Sequence, residues 1–164
     1  MALTGVVGSE RGRLRSIFAE VRRLYFNNVW GMDIGADCRI SRSAKLDKTC
    51  PRGLHIGDST AIDFGVAILT HDQCRSLVAD TWIGKDCHIG ARSIIMPGVR
   101  IGDNCVIAAA SVVTRDVPAN CFAGGCPARI LETGIETGPF GVIHRTGEAE
   151  FATTRSAPAE EAAL

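Results

Sequence analysis

The sequence predicts an all-β solenoid built from six-residue steps, and three observations predict it. An aliphatic residue recurs at every sixth position in three runs: Ile34, Ile40, Leu46; then Ile56, Ile62, Ile68; then Leu77, Ile83, Ile89, Ile95, Ile101, Ile107 and Val113. A small residue stands four places after each, from Cys38 and Ala44 through Thr60, Val66 and Thr81 to Cys105, Ser111 and Val117, with Asp72 the single exception. Glycine follows the aliphatic at Gly35, Gly57, Gly84, Gly90 and Gly102. Neither the helical period of 3.6 nor the strand period of 2.0 produces this pattern.

The physics of a six-residue step is specific. A short parallel strand followed by a sharp corner makes one flat side of a prism. Three sides close a coil of about eighteen residues, and successive coils stack at ~4.8 Å, the spacing of paired strands. The aliphatic points to the axis and forms a dry column with its equivalents above and below. The small residue also points inward, where the prism is narrow, and glycine is expected to supply corner conformations closed to residues with a Cβ. Thirteen hexads amount to roughly four and a third coils, about 20 Å tall.

Two interruptions break the register, one between Leu46 and Ile56 through Lys48–His55, the other between Ile68 and Leu77 around His71, Asp72 and Cys74. Insertions in a solenoid leave the core as corner loops, where binding residues usually sit. The ends differ from the middle. Over residues 10–30, Leu14, Ile17, Phe18, Val21, Leu24 and Tyr25 fall at helical spacing with Arg11, Arg15, Arg22 and Arg23 elsewhere, which predicts an amphipathic helix capping the first coil. Its arginines read first as a solvated face, and contact with an anionic membrane or polymer is left open. The hexads stop at Glu132, and the Ala-, Glu-, Thr- and Pro-rich segment Thr153–Leu164 is expected to be disordered. The expected organisation is a helical cap at 1–30, a β-helix at 31–131 and a C-terminal extension at 132–164.

Composition excludes several classes. With 46% apolar residues and 18 basic against 18 acidic ones, the chain can bury a core and carries no global field for nucleic acid. No stretch approaches the ~20 apolar residues that span a bilayer, and the charges of the first fifteen residues run in the wrong order for a secretory signal. Seven cysteines without a Cys-x-x-Cys pair point away from a disulfide scaffold and toward a reducing cytoplasm. Cys38, Cys50, Cys87 and Cys105 take the small inward position, where a thiol acts as a compact hydrophobe. Cys87 and Cys105 should stack on successive coils and remain reduced.

Of the four histidines, His88 ends a hexad, His144 lies beyond the repeat, His55 precedes a hexad and His71 stands at the register break beside Asp72. His71 is the residue singled out for chemistry.

The hexads, the segment Ile68-Leu-Thr-His71-Asp72, the run from Trp82 to Pro118 and the closing Ala123-Gly-Gly-Cys-Pro-Ala-Arg129 together resemble the hexapeptide-repeat acyltransferases. The closest likeness is to O-acetyltransferases acting on polysaccharides and other sugars. The resemblance implies a left-handed winding, acetyl-CoA as acyl donor, and His71 as general base on a hydroxyl acceptor, with Asp72 or a backbone carbonyl orienting the ring. It places Ala91 and Ala109 in slots that contact the cofactor through the backbone, and Thr114, Arg115 and Arg129 near its phosphates. Arginine suits phosphate because its planar fork donates two parallel hydrogen bonds. Two positions depart from the family pattern, Cys126 before Pro127 and Ala108 before Ala109. The family also implies a homotrimer with shared active sites. A small-molecule or oligosaccharide acceptor follows from the same likeness, and no metal is expected. Competing readings are an acceptor such as serine or an antibiotic, a non-catalytic scaffold, and a zinc hydratase of the γ-carbonic-anhydrase type. The last would need three converging imidazoles, and the His-x4-His pair of that family is missing.

Overall fold

In the computed structural model the described residues are 6–144, with side chains from residue 16 onward. Strands β1 (Asp33–Ile34), β2 (Arg39–Ile40) and β3 (Lys45–Leu46) form the first coil. The second is β4 (Leu54–Ile56), β5 (Ala61–Ile62) and β6 (Ala67–Ile68). After β7 (His71–Asp72) and β8 (Leu77–Val78), the third is β9 (Thr81–Ile83), β10 (His88–Ile89) and β11 (Ile94–Ile95). The fourth is β12 (Arg100–Ile101), β13 (Val106–Ile107) and β14 (Val112–Val113), followed by β15 (Cys121–Gly125), β16 (Ala128–Thr133), β17 (Thr137–Gly138) and β18 (Val142–Ile143). Face A is the parallel sheet β1-β4-β9-β12, face B is β2-β5-β10-β13-β15 closed by β16, and face C is β3-β6-β11-β14.

The register explains the core. Ile34 pairs with Ile56, Ile56 with Ile83, and Ile83 with Ile101, so identical side chains stack along face A. Ile62, Ile89 and Ile107 do the same on face B, and Leu46, Ile68, Ile95 and Val113 on face C. All are buried; only Ile40, on the open end, is half-covered. Each fully buried isoleucine contributes roughly 1.5–3 kcal/mol by area.

Glycine supplies the expected left-handed corner conformation at Gly65 and Gly98, but the five glycines that follow the axial aliphatics act differently. Gly35, Gly57, Gly84, Gly90 and Gly102 do not adopt the left-handed conformation. That conformation falls instead on Asp37, Ser59, Asp86, Asn104 and Asn120 at the corner between faces A and B, mostly residue types that tolerate it. The glycines are required by close stacking of backbones, since a Cβ on Gly57 would lie 2.6 Å from both the Gly84 carbonyl carbon and the Lys85 nitrogen. The small inward residues at this corner serve the same stacking. The Cys38, Thr60, Cys87 and Cys105 side chains donate to the carbonyls of Gly57, Gly84, Gly102 and Pro118, one coil further on, at 2.8–3.2 Å. All the described cysteines are free.

Two sequence expectations need correction. Leu77 does not restart the hexads. It lies half-buried in β8, which pairs antiparallel with β7 in a hairpin, and the register resumes at Thr81–Ile83. The aliphatic at 77 matches the period by coincidence, because a two-strand hairpin leaves and returns to the same corner.

The helix α1 (Val6–Tyr25) does cap the first coil, but through its polar side. The Arg22 and Arg23 guanidiniums donate to the carbonyls of Ile40 and Ile34, and Asn27 exchanges hydrogen bonds with the Ile34 backbone. These first-coil groups have no preceding strand to pair with, so charged donors satisfy them better than an apolar face could. Ile17, Phe18, Val21, Leu24 and Tyr25 are consequently exposed. The expected positions of Leu14, Arg11 and Arg15 lie outside the described side chains.

The C-terminal extension forms a strap over the described residues as far as His144. The Ile135 amide bonds Asn120, Thr137 Oγ1 bonds the Asp86 carbonyl, and the Phe140 amide bonds Ser59. The strap thus climbs from the last coil back to the second, and Arg39 of the first coil lies 3.5 Å over the Phe140 ring. The segment 153–164, expected to be disordered, lies outside the described residues.

Candidate active site

Two insertions at the corner between faces C and A build the site. The first leaves β3 with Asp47; the second leaves β6, one coil on, with Thr70 and His71. Leu46 pairs with Ile68, so the two loops depart side by side. Asp47, twenty-four residues before His71, accepts from His71 Nδ1 at 2.5 Å. The same carboxylate accepts the backbone amides of Thr70, His71 and Thr49 at 2.8–3.1 Å. Its side chain is only 4% exposed, while that of His71 is 33% exposed. Burial pushes the Asp47 carboxyl up, but the amides of Thr70 and Thr49 and the His71 ring outweigh burial and hold it well below the usual carboxylate range. An ionised, buried carboxylate on Nδ1 fixes the proton there and leaves the Nε2 lone pair facing outward.

Asp72, expected to orient the imidazole, is elsewhere. Its carboxylate accepts Arg75 Nε at 2.6 Å and the amides of Cys74 and Arg75. It closes the β7–β8 turn, and the hydrogen bond from the Arg75 guanidinium is the first cause holding its carboxyl below the usual carboxylate range. Asp47 is the residue that sequence reasoning passed over. Its signal was positional: when the two interrupted coils are aligned, a lone carboxylate at the first loop falls under Leu69, two residues from His71.

Residues expected to hold the cofactor flank face C. Thr114 and Arg115 follow β14 at the corner of His71, two coils further on, so about 10 Å along the stack. Both are exposed. Ala91 and Ala109 sit one coil apart at the opposite corner, between faces B and C, where the Ala91 carbonyl accepts the Ala110 amide. Between the corners runs the outward row Lys45, Ala67, Ile94 and Val112. Arg129 is exposed on β16, where its guanidinium donates to the adjacent Ala128 carbonyl. The structure therefore brings Thr114 and Arg115 to the His71 corner and leaves Arg129 at the end of the stack.

The remaining histidines have structural partners. His55 stacks on Trp82 at 3.6 Å and bonds Asp33, while Arg100 covers Trp82 from the next coil. A groove of about 410 Å³ beside this column reaches the corner between faces A and B at Gly84, Gly102 and Pro118, a different corner from that of His71. The His88 ring nitrogens face Asp63 and the Phe140 carbonyl, anchoring the strap. Among the described residues no three metal-binding side chains converge.

Residues 81–115 match the family model described as hexapeptide repeat of succinyl-transferase. The chain is 31% identical over 121 residues to YvoF of Bacillus subtilis (strain 168), which bears an acetyltransferase name, covering 73% of this chain and 70% of that protein. Among solved structures, the hexapeptide-repeat acetyltransferase VCA0836 of Vibrio cholerae O1 biovar eltor, complexed with acetyl coenzyme A, is 25% identical with a TM-score of 0.52, covering 76% of this chain and 85% of that one. A maltose O-acetyltransferase from Clostridium difficile 630 is 26% identical with a TM-score of 0.55, covering 70% and 75%. Repeat, coil geometry and relatives agree: this chain belongs to the hexapeptide-repeat acyltransferase family.

Proposed function

We propose that the protein transfers an acetyl group from acetyl-CoA to a hydroxyl of a sugar or surface-polysaccharide precursor, with His71 as general base and Asp47 as its positioning residue. The observation that carries the reading is the Asp47–His71 pair through Nδ1, with His71 one third exposed and its Nε2 without a hydrogen-bond partner among the described residues. A hydroxyl is a poor nucleophile at neutral pH and attacks a thioester only as its proton is removed. In this reading Nε2 takes that proton while the hydroxyl oxygen bonds the acetyl carbon. The resulting imidazolium is stabilised by Asp47. Collapse of the tetrahedral adduct breaks the carbon–sulfur bond, and the proton passes to the departing thiolate. General-base assistance of this kind contributes ~10²–10⁴-fold.

The donor assignment rests on likeness to the acetyl coenzyme A complex of VCA0836, and the sugar on likeness to the maltose enzyme. Thr114, Arg115 and the backbone at Ala91 and Ala109 would line the donor along face C, and the exposed Ile94 there supports burial against a second copy in a trimer. Free cysteines support a reducing, cytoplasmic location.

The test is acetyl-CoA turnover with sugars, oligosaccharides and serine as acceptors, comparing wild type with His71→Ala. Acceptor-dependent CoA release that falls at least ~100-fold in the variant supports the reading; equal rates in the two proteins refute it. Light scattering should give about three times the single-chain mass if the trimer reading holds, and a single-chain mass overturns it.

A further inference from the structure

The capping helix leaves a surface that neither the fold nor the active site uses. Ile17, Phe18, Val21, Leu24 and Tyr25 form one stripe on α1, 44–72% exposed, because Arg22, Arg23 and the following Phe26 and Asn27 face the first coil. Val29, just past the helix, is 64% exposed as well. The stripe points away from the end of the prism.

Behind it lies unbalanced positive charge. Between Cys38 and Gly57 stand Arg39, Arg42, Lys45, Lys48 and Arg52, against a single acid, the buried Asp47 already held by His71 and three backbone amides. Arg42, Lys45, Lys48 and Arg52 are exposed and make no ion pair among the described residues. Lys48 lies 4.5 Å over the Trp30 ring, at the junction of helix and coil. The acids of the first coil, Asp33 and Asp37, sit on face A and its corner with face B, apart from this row. The helix itself carries Arg11, Arg13, Arg15, Arg22 and Arg23 against Glu10 and Glu20.

We propose that this end of the prism binds an anionic lipid surface, with α1 lying in the interface. The dimensions agree. An interfacial helix sinks its apolar side ~5–10 Å into the headgroup region, and a helix is about 10 Å across. With the stripe immersed, the cations of the first coil stand at the level of the lipid phosphates. A water-soluble partner of uniform polarity would match the charge but not the adjacent apolar stripe. A second copy of the chain would match the stripe but bring the same cations together.

The experiment is vesicle co-sedimentation of the full chain. It uses pure phosphatidylcholine beside equal parts phosphatidylcholine and phosphatidylglycerol, at low salt and at roughly 0.5 M, where screening is nearly complete within a few Å. The expected result is retention on the anionic vesicles at least ~10-fold above the neutral ones, lost in high salt. Phe18→Glu with Val21→Glu should abolish retention, and Lys48→Gln with Arg52→Gln should weaken it by roughly fivefold per charge. Circular dichroism and light scattering on the same variants complete the design. Equal recovery from both vesicle types overturns the proposal. So does a stripe variant that alters the oligomeric mass while vesicle binding stays as in wild type, because a second copy then covers the stripe.

Discussion

Asp47 and His71 come from different coils, yet the carboxylate of one sits 2.5 Å from the ring nitrogen of the other. The contact exists because β3 and β6 are stacked neighbours on face C and both chains leave the prism at the same corner. Substituting each acid near His71 separates orientation from turn formation. Asp47→Asn should lower kcat by ~10–100-fold with little change in KM for the donor, since the ring loses its fixed tautomer. Asp72→Asn should leave kcat within about twofold, because Asp72 serves Arg75 and the hairpin turn. Initial-rate kinetics on the two variants decide it, and the reverse ranking would return the orienting role to Asp72.

The same carboxylate should mark the acid limit of stability. Its folded pKa lies well below the unfolded value of ~3.9. The stabilisation is therefore complete above about pH 5 and is lost as pH falls through the unfolded value toward the folded one. Thermal melts of wild type and Asp47→Asn should differ by a constant gap above about pH 5 that narrows as pH falls below the unfolded value of ~3.9; a gap that widens on acidification would contradict this.

Backbone stacking at the corner between faces A and B predicts that Gly57→Ala is costly despite its small size. The added methyl would meet backbone atoms at 2.6 Å, and overpacking against backbone that cannot yield costs ~1–3 kcal/mol. By comparison, Ile89→Ala removes a fully buried side chain and should cost ~2–5 kcal/mol. Chemical denaturation of both variants gives the numbers. A Gly57→Ala protein as stable as wild type would mean that the coils are not in backbone contact there.

Thiol chemistry should sort by position. Cys74 and Cys126 are exposed, whereas Cys38, Cys87, Cys105 and Cys121 are buried. Burial pushes the Cys38 thiol up to about 11, and the Cys105 contact together with burial pushes Cys87 higher still. A thiol reagent on the native protein should modify Cys74 and Cys126 within the first phase and reach the buried four only on unfolding. Rapid modification of Cys87 would argue against the inward column.

Period and composition were sufficient for the solenoid, because each hexad states the same local choice: an aliphatic for the axis, a small residue for the corner, a glycine where backbones touch. Repetition makes such a signal legible without any long-range contact. The place of His71 was legible too, at the break in the repeat where two corner loops meet. The sequence alone left undetermined whatever depended on how separate coils and ends meet. Asp47 became the partner of His71 only through the stacking of two loops, and Asp72 was drawn away by the local pull of Arg75. Leu77 matched the period but followed its hairpin out of the core. The helix turned Arg22 and Arg23 inward because the first coil offers bare carbonyls at Ile34 and Ile40, while Phe26 just past the helix covers its apolar end, and that choice, made by the prism rather than by the helix, is what leaves the apolar stripe outside.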